Sequence, residues 1–359
     1  MPSLWIGHDD VEDLGLGASA LGTGGGGSSA IVRLMLHEAI DKHGPVEVVA
    51  LEDLDPKAML FPVAFAGAPV AYIEKCISGN EATLAYELAS KRFGRAPIAV
   101  LPLEVGGASS LYPLVVAAEL GIPCVDADTI RRAFPMVHMT QFTLAGISVS
   151  PCFVIDIKGN ALTLDMTSNV AGEAMMRAIF VEMGMFAVVA GYFVTVQQTA
   201  DHGVPGSLTY ALELGRRISR IQHGFDGAYE GFLRCAEAQA LFEGKIVDLD
   251  RRTEDGWSRG TVKLESLDDP SKTFEIDFQN ENLVARSNGI VVATVPDLIT
   301  LIDLENAVPM TTEELAYGQR MRVIAMPAHE RWLTPPGLEL VGPRAFGYDF
   351  DYISYRGVQ

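Results

Sequence analysis

Cysteine is scarce in this chain of 359 residues, which holds four, Cys76, Cys124, Cys152 and Cys235, with no Cys-x-x-Cys pair. That spacing excludes a disulfide framework and a thiolate metal knuckle, and leaves reduced, buried thiols as the reading. An excess of positive charge is also missing: 46 acidic against 27 basic residues give a net charge of −19. A field of that sign repels phosphate backbones and anionic lipid, so no nucleic acid and no membrane surface is expected as a partner. None of the seven histidines stands in a His-x-x-x-His or His-Glu-x-x-His spacing, so no zinc motif can be read. The most apolar stretch, Ala178 to Val196, is interrupted by Glu182 and reads as a buried helix followed by a strand, short of a membrane span. Met1 to Asp10 has neither the basic start nor the apolar centre of a secretory signal, and a cytoplasmic location is expected.

What the chain has in abundance is glycine at one place: Gly22-Thr23-Gly24-Gly25-Gly26-Gly27-Ser28-Ser29, directly ahead of a helical pattern from Ala30 to His43. Glycine loses more conformational entropy on folding than any other residue, so such a run needs a reason. A loop that opens a helix leaves N–H groups unpaired, and these favour a carboxylate, a phosphate or a developing oxyanion. Gly22, Gly24 and Gly27 also fit Gly-x-Gly-x-x-Gly. A dinucleotide turn needs a strand ahead of it, however, and Asp9 to Leu21 carries apolar Val11, Leu14, Ala18 and Leu21 at helical spacing. Nucleotide is therefore not the expected ligand; an anion site and a purely structural turn both stay open.

From Val46 onward, short apolar runs alternate with helical patterns, the signature of a parallel sheet with crossover helices. Strands are expected at Val46–Leu51, Val63–Ala66, Ile98–Leu103 and Pro123–Val125, and helices at Gly79–Phe93 and Ser109–Leu120. Met139–Val149, Cys152–Ile157 and Ala161–Met166 read as β segments. Ser168–Met183 and Ser207–Gly224 read as helices, the second with Ser207 as its cap. After Gly244 the pattern turns to closely spaced strands parted by turns such as Asp255-Gly256 and Ser287-Asn288-Gly289. The expected architecture is an N-terminal α/β domain over residues 1–168 with a largely parallel sheet. A C-terminal region follows over 169–359: helical over 169–240, β-rich over 244–330, and a turn-rich tail over 331–359 that packs back.

In such sheets ligands bind beyond the carboxyl ends of the strands, where this chain places Glu104-Val105-Gly106-Gly107 and Asp126-Ala127-Asp128. Glu104, Asp126 and Asp128 are candidates for general base, substrate anchor or ligand to a divalent metal, with Gly24, Gly25, Gly26, Gly27, Gly106 and Gly107 as substrate-binding backbone. Asp126 and Asp128, one residue apart on extended chain, point to one side; capping of the next turn is the alternative for Asp126 and solvation for Asp128. His138 is a candidate proton carrier, against the alternative of a satisfied core histidine.

Six motifs in order then carry a resemblance over nearly the whole chain: Leu21 to Gly27, Glu104-Val105-Gly106-Gly107, Val125 to Pro135, Asn280-Glu281-Asn282-Leu283, Pro296-Asp297-Leu298-Ile299 and Val341 to Tyr348. The sequence resembles the S-methyl thiohydantoin desulfurase-like proteins. The resemblance implies a C-terminal β-rich domain of the swivelling β/β/α type. It also implies a small cyclic amide or thioamide as substrate, with water added at a thiocarbonyl carbon and sulfide released. Hydantoinase or oxoprolinase subunits are the partners it implies, and the chain is then either a hydrolase or a non-catalytic, ligand-binding member of such a system. Assembly into a homo-oligomer and use of a metal stay open.

Overall fold

Short runs that are apolar at nearly every position make strands buried on both faces, and four of them form the centre of the first sheet. The computed structural model describes residues 4–67, 77, 79–254 and 257–357, so Cys76 and the Asp255-Gly256 turn lie outside the described residues. In chain order the first sheet takes β1 (Leu4–Ile6), β2 (Val46–Val49), β3 (Leu60–Gly67), β4 (Ala99–Pro102) and β5 (Cys124–Val125). A short β6 (Ala127–Asp128) leaves the sheet, which resumes with β7 (Cys152–Ile155), β8 (Ala161–Leu164) and β9 (Phe186–Ala190), and β6 pairs with β10 (Val204–Pro205) instead. The order is β1-β2-β5-β4-β3-β9-β7-β8, with β2, β5, β4 and β3 parallel and the outer strands antiparallel. One core cluster, around Phe61, Val100 and Leu111, and a second, around Leu101, Val154 and Phe180, divide the sheet's buried side chains.

Helices His8–Leu21 and Ser207–Gln222 pack backbone to backbone beside this sheet. A Cβ on Gly17 would lie 1.7 Å from the Ala211 carbonyl oxygen, and one on Gly215 would lie 1.5 Å from that of Asp13, so glycine is the residue that permits this approach. The expected helix ahead of the glycine run is thus present where a dinucleotide turn would need a strand. No helix among the described residues is long and apolar enough to cross a membrane.

The second sheet is antiparallel throughout, formed by β11 (Gln239–Glu254), β12 (Trp257–Ser266), β13 (Thr273–Gln279), β14 (Glu281–Ser287), β15 (Ile290–Thr294), β16 (Leu298–Asp303) and β17 (Arg320–Met326). Its order is β15-β14-β13-β12-β11-β17-β16. It curls into a half-barrel: the Asn282 side-chain amide of β14 donates to the Ile299 carbonyl of β16 at 2.8 Å, and the Val295 N–H donates to Leu283 at 2.7 Å. A small core of Ile130, Phe134, Leu283, Val284 and Trp332 joins the loop after β6 to this sheet and to the C-terminal tail. In the tail, the Trp332 indole N–H donates to the Ile130 carbonyl at 3.0 Å and the Tyr352 hydroxyl donates to Asp297 at 2.8 Å.

Three sequence expectations need correction. Met139–Val149 is not β: the Thr140 hydroxyl caps a one-turn helix, Gln141–Leu144, by accepting the Thr143 N–H. Ser207 is not the cap of its helix; Gly206 is, in the left-handed conformation, which frees the Ser207 hydroxyl for Asp128. β16 falls in a stretch not read as a strand, because its apolar run is short and follows Pro296-Asp297.

Candidate functional site

β4 ends at Pro102, and the chain beyond it carries Glu104 to the rim of a cavity of about 120 Å³. Gly26 and Gly27 of the glycine run form another part of the lining, with Ala108 and Ser109 from the start of helix Ala108–Leu120. The loop after β6 contributes Phe134 to Val137. From the second sheet come Asn280 and Glu281, at the tip of the β13–β14 hairpin. Asn280 turns that hairpin with φ +56°, a conformation asparagine tolerates better than most residues. Its side-chain carbonyl accepts the Ser258 N–H at 2.9 Å, which fixes the tip.

What the glycine run seats is a carboxyl of the protein itself. The Glu281 carboxylate lies against it: a Cβ on Gly25 would sit 2.0 Å from Glu281 Oε1, and the Gly26 N–H is a hydrogen-bond donor to the carboxylate. Glu281 is 2% exposed, and its Oε2 has no hydrogen-bond partner among the described residues. Burial pushes its carboxyl up to about 8, against the opposing pull of the Arg132 guanidinium and the Gly26 N–H. Glu104, partly accessible, accepts the Phe134 N–H at 3.3 Å and a bond from the Ser109 hydroxyl. Burial first, then the nearby Glu281 charge, hold its carboxyl well above the ordinary range.

Behind the pair lies Arg132, 1% exposed. It donates to the carbonyls of Pro296, Asp297 and Ala133 and to the Thr23 hydroxyl, and its guanidinium covers the Phe134 ring at 4.3 Å. One side chain therefore ties the glycine run to the second sheet. Burial lowers its pKa to about 10, and the fields of Glu281, Asp297 and Glu104 resist that shift.

The remaining expected residues sit elsewhere. Asp126 accepts the N–H groups of Leu208 and Thr209 and the Thr209 hydroxyl, so it caps helix Ser207–Gln222. Asp128 accepts the Val105 and Arg131 N–H groups at 2.9 and 2.7 Å and the Ser207 hydroxyl at 2.7 Å. The two point to one side, as their spacing implies, and that side is the helix start. Neither lines the cavity. His138, 9% exposed, also lies outside the lining, with Nδ1 lacking a partner among the described residues; burial lowers its pKa. Gly106 and Gly107 serve packing: a Cβ on Gly106 would meet the Ala133 nitrogen at 2.8 Å, and the Gly107 N–H donates to the Ala18 carbonyl.

Glu281 and Arg132 stand in sequence motifs that by themselves assign them no site role. The available signal was Gln279-Asn280-Glu281-Asn282, four polar residues in succession inside a strand-forming stretch, which is hard to place in a packed sheet unless it borders a cavity. The described residues bring together no group of three or more His, Cys, Asp or Glu side chains suited to holding a metal ion.

Fold and cavity together define an α/β protein with a cavity where a mixed sheet layer meets an antiparallel half-barrel. The chain belongs to the S-Me-THD-like family: the model of the S-Me-THD-like N-terminal domain matches residues 9–166 and that of the C-terminal domain matches residues 167–355. It is similar to a crystal structure of a protein from Chromobacterium violaceum, a structural genomics target, with a TM-score of 0.83 and 25% identity over 98% of this chain and 100% of that one. No curated protein matches the sequence.

Proposed function

We propose that the cavity hydrolyses a small cyclic thioamide or amide of the hydantoin or thiohydantoin class. The observation that carries this reading is the pair Glu104 and Glu281, two carboxyls from different sheets that share one cavity and perturb one another. Two coupled carboxyls release their protons in separate steps. Glu281, beside Arg132 and the Gly26 N–H, is the one that ionises first. Its free Oε2 takes a proton from water as the water oxygen bonds to the thiocarbonyl carbon, and Glu104 gives its proton to sulfur. The resulting carbon bears OH and SH. On collapse Glu104 recovers a proton from the hydroxyl, Glu281 returns its proton to the departing sulfur, and H₂S leaves with both carboxyls restored. Gly27, whose N–H makes no hydrogen bond among the described residues, lines the same cavity and supplies a donor for the developing charge. In this reading the half-barrel is the swivelling element, since it carries Glu281 against the glycine run.

The test is incubation of the full chain with a methylthiohydantoin, following sulfide release and the hydantoin product. Turnover that climbs as pH rises through about 8, where Glu281 ionises, is the expected result. Absence of both products across that range, with and without added divalent metals, would sink the desulfurase reading.

The second reading is a ligand-binding subunit of a hydantoinase or oxoprolinase assembly. What favours it is the apolar surface of helix Asn169–Glu182, where Val170, Met175 and Val181 are exposed. A chain that binds the ring without consuming it, equally well in wild type and in Glu104→Gln, would support that reading over hydrolysis.

A further inference from the structure

Helix Asn169–Glu182 has two unlike sides. Met176 and Phe180 enter the core over the first sheet, and Arg177 reaches the cavity wall. The other side faces water, and there Val170, Ala174, Met175, Ala178 and Val181 are all exposed. The three larger side chains keep 62%, 50% and 55% of their surface open, in the order Val170, Met175, Val181. With 3.6 residues per turn these five positions and Glu182 fall within one arc of about 140°. Glu182, in the last turn, is the single charged residue on that arc. The water-facing side of a helix ordinarily collects charge, as helix Ser207–Gln222 does with exposed Arg216 and Arg220.

A contiguous apolar face of this kind is a surface meant to be covered. Charge and order decide by what. Two copies of a chain of net charge −19 repel one another over most of their surface, and least where neither presents a charge. The stripe also reads alike from either end: Val170 then Ala174 from one, Val181 then Ala178 from the other, with the small side chains in the middle. A two-fold axis between the alanines sets two such helices antiparallel, with Ala174 against the partner's Ala178 where the backbones come closest and Val170 beside the partner's Val181. Glu182, at the unfavourable end of its own helix dipole, then lies beside the N-terminus of the partner helix, where a negative charge is favoured. A parallel pairing would set the two Glu182 carboxylates side by side.

From this pattern, and independently of the hydrolysis reading, we infer that a second copy of the chain docks on helix Asn169–Glu182, helix against helix about a two-fold axis. A different subunit would not require the stripe to match itself. The docked copy backs the cavity from outside, because the same helix carries Arg177 to its wall.

The experiment is sedimentation equilibrium of the full chain from about 1 to about 100 µM, since a contact of one helix per copy suits micromolar dissociation. Wild type is expected to approach twice the 38.7 kDa of the single chain. Ala174→Glu, which presses a charge into the apolar contact, is expected to raise the dissociation constant at least about 100-fold. Ala174 is exposed in the single chain, so the variant should keep the circular dichroism of the folded protein. Leu34→Glu, at a position 70% exposed on another helix, should dimerise as wild type does. Glu182→Gln is expected to weaken the dimer about threefold to thirtyfold, the loss of two charge–dipole contacts. A wild type that stays monomeric to 100 µM overturns the inference, needs no variant to fold, and leaves the hydrolysis reading untouched. A dimer that survives Ala174→Glu, or that Glu182→Gln tightens, overturns it as well.

Discussion

Two pairs of carboxylates, alike in residue class and placed at or beside strand ends, have opposite fates in this molecule. Asp126 and Asp128 meet a complete set of donors, backbone N–H groups and hydroxyls at the start of helix Ser207–Gln222, and hold that helix to the first sheet. Glu281 meets too few: its Oε2 has no partner among the described residues, and burial pushes its carboxyl up to about 8 and that of Glu104 well above the ordinary range, while Asp128, with donors on both oxygens, is raised as well. Burial is common to Asp128 and Glu281; the supply of donors is not. A buried carboxylate with both oxygens answered is part of the framework, whereas one left an oxygen short keeps a position open to a proton or a ligand.

The contrast is sharpest in turnover. Glu281→Gln and Glu104→Gln are each expected to lower the rate of sulfide release by about 10²- to 10⁴-fold, the range of a lost general acid or base. Asp126→Asn should leave the rate within a few-fold once folded protein is compared. A rate loss in Asp126→Asn as large as that in Glu281→Gln would erase the distinction between the pairs.

Stability should separate them in the reverse order. Asp128→Ala leaves the Val105 and Arg131 N–H groups without an acceptor and is expected to cost about 3 kcal/mol in denaturant unfolding. Glu281→Gln should instead stabilise the chain at alkaline pH. Folded Glu281 keeps its proton up to about 8, while the unfolded chain loses it near 4.5. The native state therefore binds more protons in that window, and its stability falls as pH rises from 4.5 to 8. The glutamine variant lacks this loss, so its stability relative to wild type should rise between pH 4 and pH 9, by up to about 5 kcal/mol. A constant difference across that range would remove Glu281 as the titrating group. The smallest effect is expected for Asp126→Ala, about 1 kcal/mol for a helix cap, read as a modest drop in melting temperature.

Much of the framework was legible in advance because it rests on local signals. The runs around Val46, Val63, Ile98 and Cys124 are too apolar for anything but doubly covered strands, and the helix ahead of the glycine run ruled against a dinucleotide turn. Glu104 was legible as well, since a glutamate closing an apolar strand needs partners. Glu281 was not, because its meaning depends on Gly25 and Gly26, more than 250 residues earlier, and no local pattern states that contact. The assignment of Met139–Val149 as β failed for a related reason: its alternating apolar residues are also what a loop needs when it is pressed between two sheets.

The seat that the glycine run offers Glu281 makes the carboxyl pair a product of assembly. The matched N-terminal segment supplies the backbone and Glu104, the C-terminal segment supplies Glu281, and Arg132 binds across the seam. Neither half alone holds both carboxyls, so under the hydrolysis proposed above the nascent chain would have no acid–base pair until β14 has been synthesised and docked.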